Sequence, residues 1–163
     1  MNKKTHANRG LSFEKEIENK CSEYHKQKIA LIHKVPTEFK LIRKGAKIIN
    51  AFPVKDSDFV DFIGIYNQKG IAMECKETKN KTSFPLSNIS EYQLDFLDLW
   101  ELLGGKSYFL IRFSTHNKVF IIPYGQFNDI INTIDRKSIP YDWFLQNTTE
   151  VIDYNFLAYI ETN

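Results

Sequence analysis

Three ionisable side chains on two neighbouring strand-like runs carry most of the chemistry this sequence offers. Residues 59–66 and 70–77 are apolar runs of strand character, and Asn67-Gln68-Lys69-Gly70 joins them as a short turn, which makes a hairpin. Side chains alternate across a strand. Ala72, Glu74 and Lys76 therefore share one face and Met73 and Cys75 the other, while Asp61, Ile63 and Ile65 share a face of the first strand. A turn centred between Gln68 and Lys69 sets Asp61 opposite Lys76 and Ile63 opposite Glu74, so that Asp61, Glu74 and Lys76 come to one face of the sheet. Two carboxylates and an ammonium on an otherwise apolar sheet are costly unless something compensates. A hard divalent cation would do so. Mg²⁺ keeps several waters and needs only one or two protein carboxylates. A solvent-facing, salt-bridged hairpin is the competing reading of the same residues.

A polar residue on the next element bears on that choice. Asn88 with Glu91 has the spacing of a capping box and predicts a helix running to Leu103 and stopping at Gly104-Gly105. Ile89, Phe96, Trp100 and Leu103 form its apolar stripe, and Gln93 lies inside it. A buried amide needs a partner. It bonds either to backbone or to a water at a metal or in attack position.

The remaining elements must position these groups. Residues 11–28 read as a helix with Phe13, Ile17, Cys21 and Tyr24 at helical spacing. Residues 29–35 form a short strand ended by Pro36. Residues 39–57 mix apolar and basic side chains around a turn at Gly45 and predict an exposed β-excursion. Residues 79–86 read as a loop, 107–113 and 118–122 as strands, 124–134 as a helix and 156–160 as a last strand. This order predicts an α/β fold, a mixed sheet with helices packed against it.

The chain of 163 residues suits one domain, 1–163, with residues 1–8 as a flexible tail. Its net charge of +2 is low for a nucleic-acid binder, so any basic surface must be local. Arg43, Lys44 and Lys47 cluster on the excursion and are the better phosphate candidates. Lys79 and Lys81 follow the second strand of the hairpin and are further ones, although each alone is more often an ordinary solvated lysine. Glu14 sits beside the first helix's apolar stripe, as an acid lying behind the residues that would hold a metal or as a plain first-turn acid. The four histidines have no metal-ligand spacing, and two cysteines make neither a disulfide framework nor a zinc motif. No apolar run approaches the ~20 residues of a membrane span and no secretory leader is recognisable, so a cytoplasmic chain without membrane contact is expected.

Asp61, then twelve residues, then Glu74-Cys75-Lys76 resembles the PD-(D/E)xK nuclease signature. A longer match is more specific. Residues 62–66, then 74–86, then Gln93, are similar to the central block of the RecU family of Holliday-junction resolvases. Arg9-Gly10-Leu11 with Glu14 and Ile17, His33-Lys34-Val35-Pro36-Thr37 and Lys137-Ser138-Ile139-Pro140 resemble further motifs of that family, in order. The resemblance implies a homodimeric, restriction-endonuclease-like fold with a protruding β-stalk, here shortened, at about residues 39–57. It also implies symmetric, Mg²⁺-dependent nicking of four-way DNA junctions in recombination and repair, with Mn²⁺ able to substitute and 5′-phosphate and 3′-hydroxyl ends left. By position, Asp61 and Glu74 resemble the metal-binding acids, with the Cys75 backbone carbonyl beside them. Lys76 resembles the residue that stabilises charge on the scissile phosphate, and Gln93 the further metal-site residue. The family has Thr two residues before the Asp; Phe59 stands there and supplies no side-chain oxygen, with Asp58 next to it as a substitute or a loop acid. The family's N-terminal arm implies a recombinase as a further partner. A nuclease of the same kind acting on duplex or flapped DNA, and a non-catalytic junction- or recombinase-binding module, are the competing functions.

Overall fold

Ser12 opens the first helix by accepting the backbone N–H of Lys15, and Glu14 and Glu16 in the first turn complement the helix dipole. That helix, α1 (Phe13–Lys26), buries the expected stripe of Phe13, Ile17, Cys21 and Tyr24. The computed structural model describes residues 12–36, 39–53 and 59–160. The proposed tail, the Arg9-Gly10-Leu11 motif and Asp58 lie outside them.

Among the described residues ten strands follow in three sheets. β1 (Ala30–Lys34) is the edge of the main sheet, ahead of a hairpin of β2 (Phe39–Lys44) and β3 (Lys47–Pro53). β4 (Phe62–Tyr66) and β5 (Lys69–Thr78) are the anticipated second hairpin. β6 (Ser83–Pro85) and a 3-10 turn at Leu86–Asn88 lead into α2 (Glu91–Leu102). β7 (Lys106–Phe113), β8 (Lys118–Pro123), α3 (Tyr124–Thr133), β9 (Ser138–Pro140), α4 (Tyr141–Asn147), β10 (Thr149–Glu150), a 3-10 turn at Ile152–Tyr154 and α5 (Leu157–Ile160) complete the chain. The main sheet runs β1-β4-β5-β7-β8-β10, with β5 and β7 parallel and the other pairs antiparallel. It is the expected mixed sheet, and its parallel pair requires the crossover that α2 supplies.

The sheet's two faces bury separate cores. Met73, Cys75, Tyr108, Leu110 and Ile121 face α1 and the C-terminal turns. Ala72, Phe109, Ile111, Phe120 and Ile122 face Leu97 of α2, Phe127 of α3 and Phe144 of α4. Glu74 and Lys76 lie in phase with Ala72, so the charged pair belongs to the α2 side. Among the described residues no helix is long and apolar enough to cross a membrane.

Two elements differ from expectation. Residues 79–86 are not wholly loop, because Ser83–Pro85 pairs antiparallel with Ser138–Pro140. The stretch 156–160, expected as a strand, is mostly the helical turn α5, since it buries Phe156 and Leu157 against the α1-side core rather than pairing with an edge. Among the described residues the β2–β3 hairpin pairs only with itself, and its side chains from residue 40 to 51 are exposed.

Gly64 shows how tightly β1 approaches β4. A Cβ there would come within 2.1 Å of the Leu31 carbonyl oxygen and 2.5 Å of Ile32 Cα. Backbone atoms cannot swing aside, so Gly64→Ala is expected to cost about 3 kcal/mol and to lower Tm by roughly 6–12 °C. Calorimetry of the variant checks this; an unchanged Tm would mean that the strands have room to part.

Candidate active site

The site begins with the turn. Asn67 and Gln68 both have positive φ, 48° and 62°, as a two-residue hairpin turn with matching twist requires. The turn is thus centred one residue earlier than the sequence suggested. Pairing runs Phe62↔Met73, Ile63↔Ala72 and Gly64↔Ile71, which slides the strands by two residues from the expected register. A slip of two preserves the facing of every side chain. Its effect is to bring Asp61, just before β4, beside Glu74 and Cys75 rather than opposite Lys76.

Hydrogen bonds hold that junction. The Asp61 backbone N–H donates to Glu74 Oε2 at 3.2 Å, and the Cys75 N–H donates to Asp61 Oδ2 at 2.8 Å. The Val35 N–H donates to the Asp61 carbonyl at 2.8 Å, tying the segment to the end of β1. Glu74 is 2 % exposed, and its other oxygen, Oε1, accepts from Lys76 Nζ at 2.8 Å and from Gln93 Nε2 at 2.5 Å. Asp61, Glu74, Lys76 and Gln93 therefore form one connected group.

Gln93 does two things there. The N-cap of α2 is Ser90, not Asn88, and the capping box is Ser90 with Gln93. Ser90 Oγ accepts the Gln93 N–H at 3.4 Å, and Gln93 Oε1 accepts the Ser90 N–H at 3.2 Å. The amide oxygen is committed to the helix start, which turns the amide nitrogen toward Glu74. Of the expected apolar stripe, Leu103 is exposed, and Leu97 is the fully buried anchor of α2.

Electrostatics follow from burial. Glu74 is pushed up to about 7, first by loss of solvent and then by the charge of Asp61, against the pull of Lys76. Asp61 is also raised, by burial above all, with the Cys75 N–H opposing. Glu14 adds to that rise by its charge. Its direct partner is Lys34, with Nζ to Glu14 Oε2 at 2.5 Å, so Glu14 borders the site without touching Asp61. Lys34, whose motif the sequence marked without a role, brings a second ammonium within electrostatic reach of Asp61.

Among the described residues no group of three His, Cys, Asp or Glu side chains could hold a metal. An ion here would rest on two carboxylates and fill its remaining positions with water, backbone and substrate oxygens. That donor set suits Mg²⁺ and is foreign to structural zinc. The Cys75 thiol is buried on the opposite face and its pKa is raised by that burial, which removes it as a ligand. In an extended strand the N–H and C=O of one residue point to the same side. The Cys75 carbonyl thus shares the Asp61 side with its N–H.

Phe59 is 44 % exposed and packs its ring 5.6 Å from that of Phe96, a hydrophobic wall where the family pattern has a hydroxyl. Lys79 and Lys81 are exposed just past β5, whereas Arg43, Lys44 and Lys47 are on the separate hairpin. There Lys44 pairs directly with Lys47 across the tip, a like-charge pair that is unfavourable without a counter-anion.

A family model described as "Recombination protein U", RecU, matches residues 8–162. A protein of Oceanobacillus iheyensis named Holliday junction resolvase RecU is 34% identical over 158 residues, covering 92% of this chain and 80% of that protein. One of Staphylococcus aureus with the same name is 37% identical over 124 residues, covering 73% of this chain and 60% of that protein. Among solved structures, Hjc of Archaeoglobus fulgidus, a Holliday junction resolvase, matches 81% of this chain and 90% of its own with a TM-score of 0.46 at 14% identity.

Proposed function

The chain belongs to the RecU family, and from that premise we propose that it is a Holliday-junction resolvase, a structure-selective endonuclease that nicks four-way DNA junctions symmetrically by Mg²⁺-dependent phosphodiester hydrolysis. The observation that carries the proposal is the connected group of Asp61, Glu74, Lys76 and Gln93 on one face of the β4–β5 hairpin. Asp61, Glu74 and the Cys75 carbonyl would hold the ion, which supplies a polarised phosphate oxygen and a more acidic water. Lys76 adds a positive charge where negative charge grows on the phosphate under attack. Gln93, expected as a further metal-site residue, has its oxygen taken by the Ser90 N–H, and in this reading it fixes the orientation of the Glu74 carboxylate from outside the reacting atoms.

The β2–β3 hairpin is the proposed stalk, with Arg43, Lys44 and Lys47 toward the DNA. Its exposed Leu41, Ile42, Ile48 and Ile49 leave apolar surface that a second copy would cover, in keeping with a homodimer. A recombinase is the further partner in this reading, and the cytoplasm its setting.

The test is cleavage of a mobile four-way junction and of linear duplex at equal concentration, with Mg²⁺, with Mn²⁺ and with chelator. Paired nicks in the junction alone, only with metal, are expected. Equal cutting of duplex would favour a duplex or flap nuclease. Binding without metal-dependent nicking would leave a junction- or recombinase-binding module.

A further inference from the structure

Beyond Lys76, β5 runs out into residues 79–82, whose side chains are all exposed. Exposed polar loops are ordinarily the mobile parts of a fold. This one is tied at Thr78, Asn80, Lys81 and Thr82. The Thr78 carbonyl accepts both the backbone N–H and the hydroxyl of Ser114, at 3.0 and 3.1 Å. The Asn80 N–H donates to Thr78 Oγ1 at 3.1 Å. The Lys81 carbonyl accepts from His116 Nε2 at 2.7 Å, and the Thr82 carbonyl accepts the Tyr141 N–H at 2.8 Å. The His116 ring lies flat on Tyr141, with centroids 4.1 Å and planes 11° apart. Just downstream, the pairing of Ser83 with Pro140 anchors the far end. The Ser138-Ile139-Pro140 segment is thus a brace for this stretch.

Two lysines therefore project from backbone that needs no ordering when an anion binds. An unbraced loop would lose that much entropy on complex formation. Lys79 lies about 10 Å along the chain from Lys76, at ~3.3 Å per residue. That distance reaches a few nucleotides along a strand carrying one phosphate every ~3.4 Å of helix axis.

We propose that residues 79–82 form a rigid phosphate-contacting strap for the duplex arm that leaves the scissile bond on the Lys76 side, with His116 as the positioning residue that holds it. This rests on the resolvase reading and extends it to a residue outside the reaction centre. His116 touches the strap, and Lys79 and Lys81 touch the DNA.

The test measures junction affinity of the full chain in chelator and single-turnover nicking in Mg²⁺. His116→Ala is expected to raise Kd about fivefold through lost preorganisation, with the nicking rate of bound junction unchanged. His116→Gln, whose amide can donate to the same carbonyl, is expected to restore most of the affinity. Replacing Lys79 and Lys81 together by alanine is expected to flatten the salt dependence of binding by about two phosphate contacts. Adding His116→Ala to that pair is expected to cost nothing further, because no charge is left to place. An unchanged Kd in His116→Ala, an effect that multiplies with the lysine pair, or a loss confined to the saturated nicking rate would each overturn the strap. Wild-type protein that neither binds nor nicks a junction would remove the resolvase reading with it; active wild type with an unaffected His116→Ala removes the strap alone.

Discussion

Lys76→Ala is expected to slow junction nicking by about 10³-fold while junction affinity stays within about threefold, since one contact among many phosphate contacts is lost. The Lys76 side chain is 18% exposed and its ammonium is 2.8 Å from Glu74 Oε1, so its charge acts in a poorly solvated setting where it counts for more than in water. Asp61→Ala is expected to be as damaging for a different reason. It removes the acceptor of the Cys75 N–H and one of the two acids available to an ion. The two losses separate by pH. Lys76 pulls the Glu74 pKa down and Asp61 pushes it up. Residual activity is therefore expected to shift to higher pH in Lys76→Ala, and added metal is expected to rescue neither variant. Single-turnover nicking across pH measures this; full-rate cleavage by either purified variant would end the assignment.

Glu74→Gln is expected to stabilise the protein in the absence of divalent metal. The folded chain holds the Glu74 proton up to about pH 7, whereas the unfolded chain releases it near 4.5. Between those values the folded state binds more protons, so stability falls as pH rises. Above the window the penalty is about 3 kcal/mol. Glutamine removes the ionisation and keeps an oxygen for Gln93 and Lys76, at the loss of the acceptor that Oε2 gives the Asp61 N–H. The net gain is expected to be about 2 kcal/mol near pH 8, some 4–8 °C in Tm, and to be lost below about pH 4.5. Melts in chelator at the two pH values check it. Equal Tm values near pH 8 would show that the carboxylate is not held against its preference.

Much of this site was legible because side-chain facing in a hairpin depends on parity alone. The sequence places the turn at Gln68 and Lys69, the structure at Asn67 and Gln68, and the two-residue shift in register that follows left Asp61, Glu74 and Lys76 together. What parity could not give was the neighbour of Asp61, which depends on a turn built from two non-glycine residues at positive φ. The start of α2 was ambiguous in a similar way. Asn88 with Glu91 and Ser90 with Gln93 both satisfy the capping spacing; in the structure Asn88 is taken up in the 3-10 turn at Leu86–Asn88, and Ser90 is the cap. The pairing of β6 with β9 joins residues far apart in sequence, which local periodicity cannot register. The run at 156–160 is apolar at nearly every position, and such a run fits a buried strand or a buried helical turn equally.

One amide side chain closes the first turn of α2 and grips the buried carboxylate at once. Fraying of that turn and loosening of the acid are consequently a single event. Mild heat or denaturant that melts only the helix start should silence the enzyme while the rest of the sheet is still intact, and amide exchange at the α2 N-terminus would report the loss before any global transition.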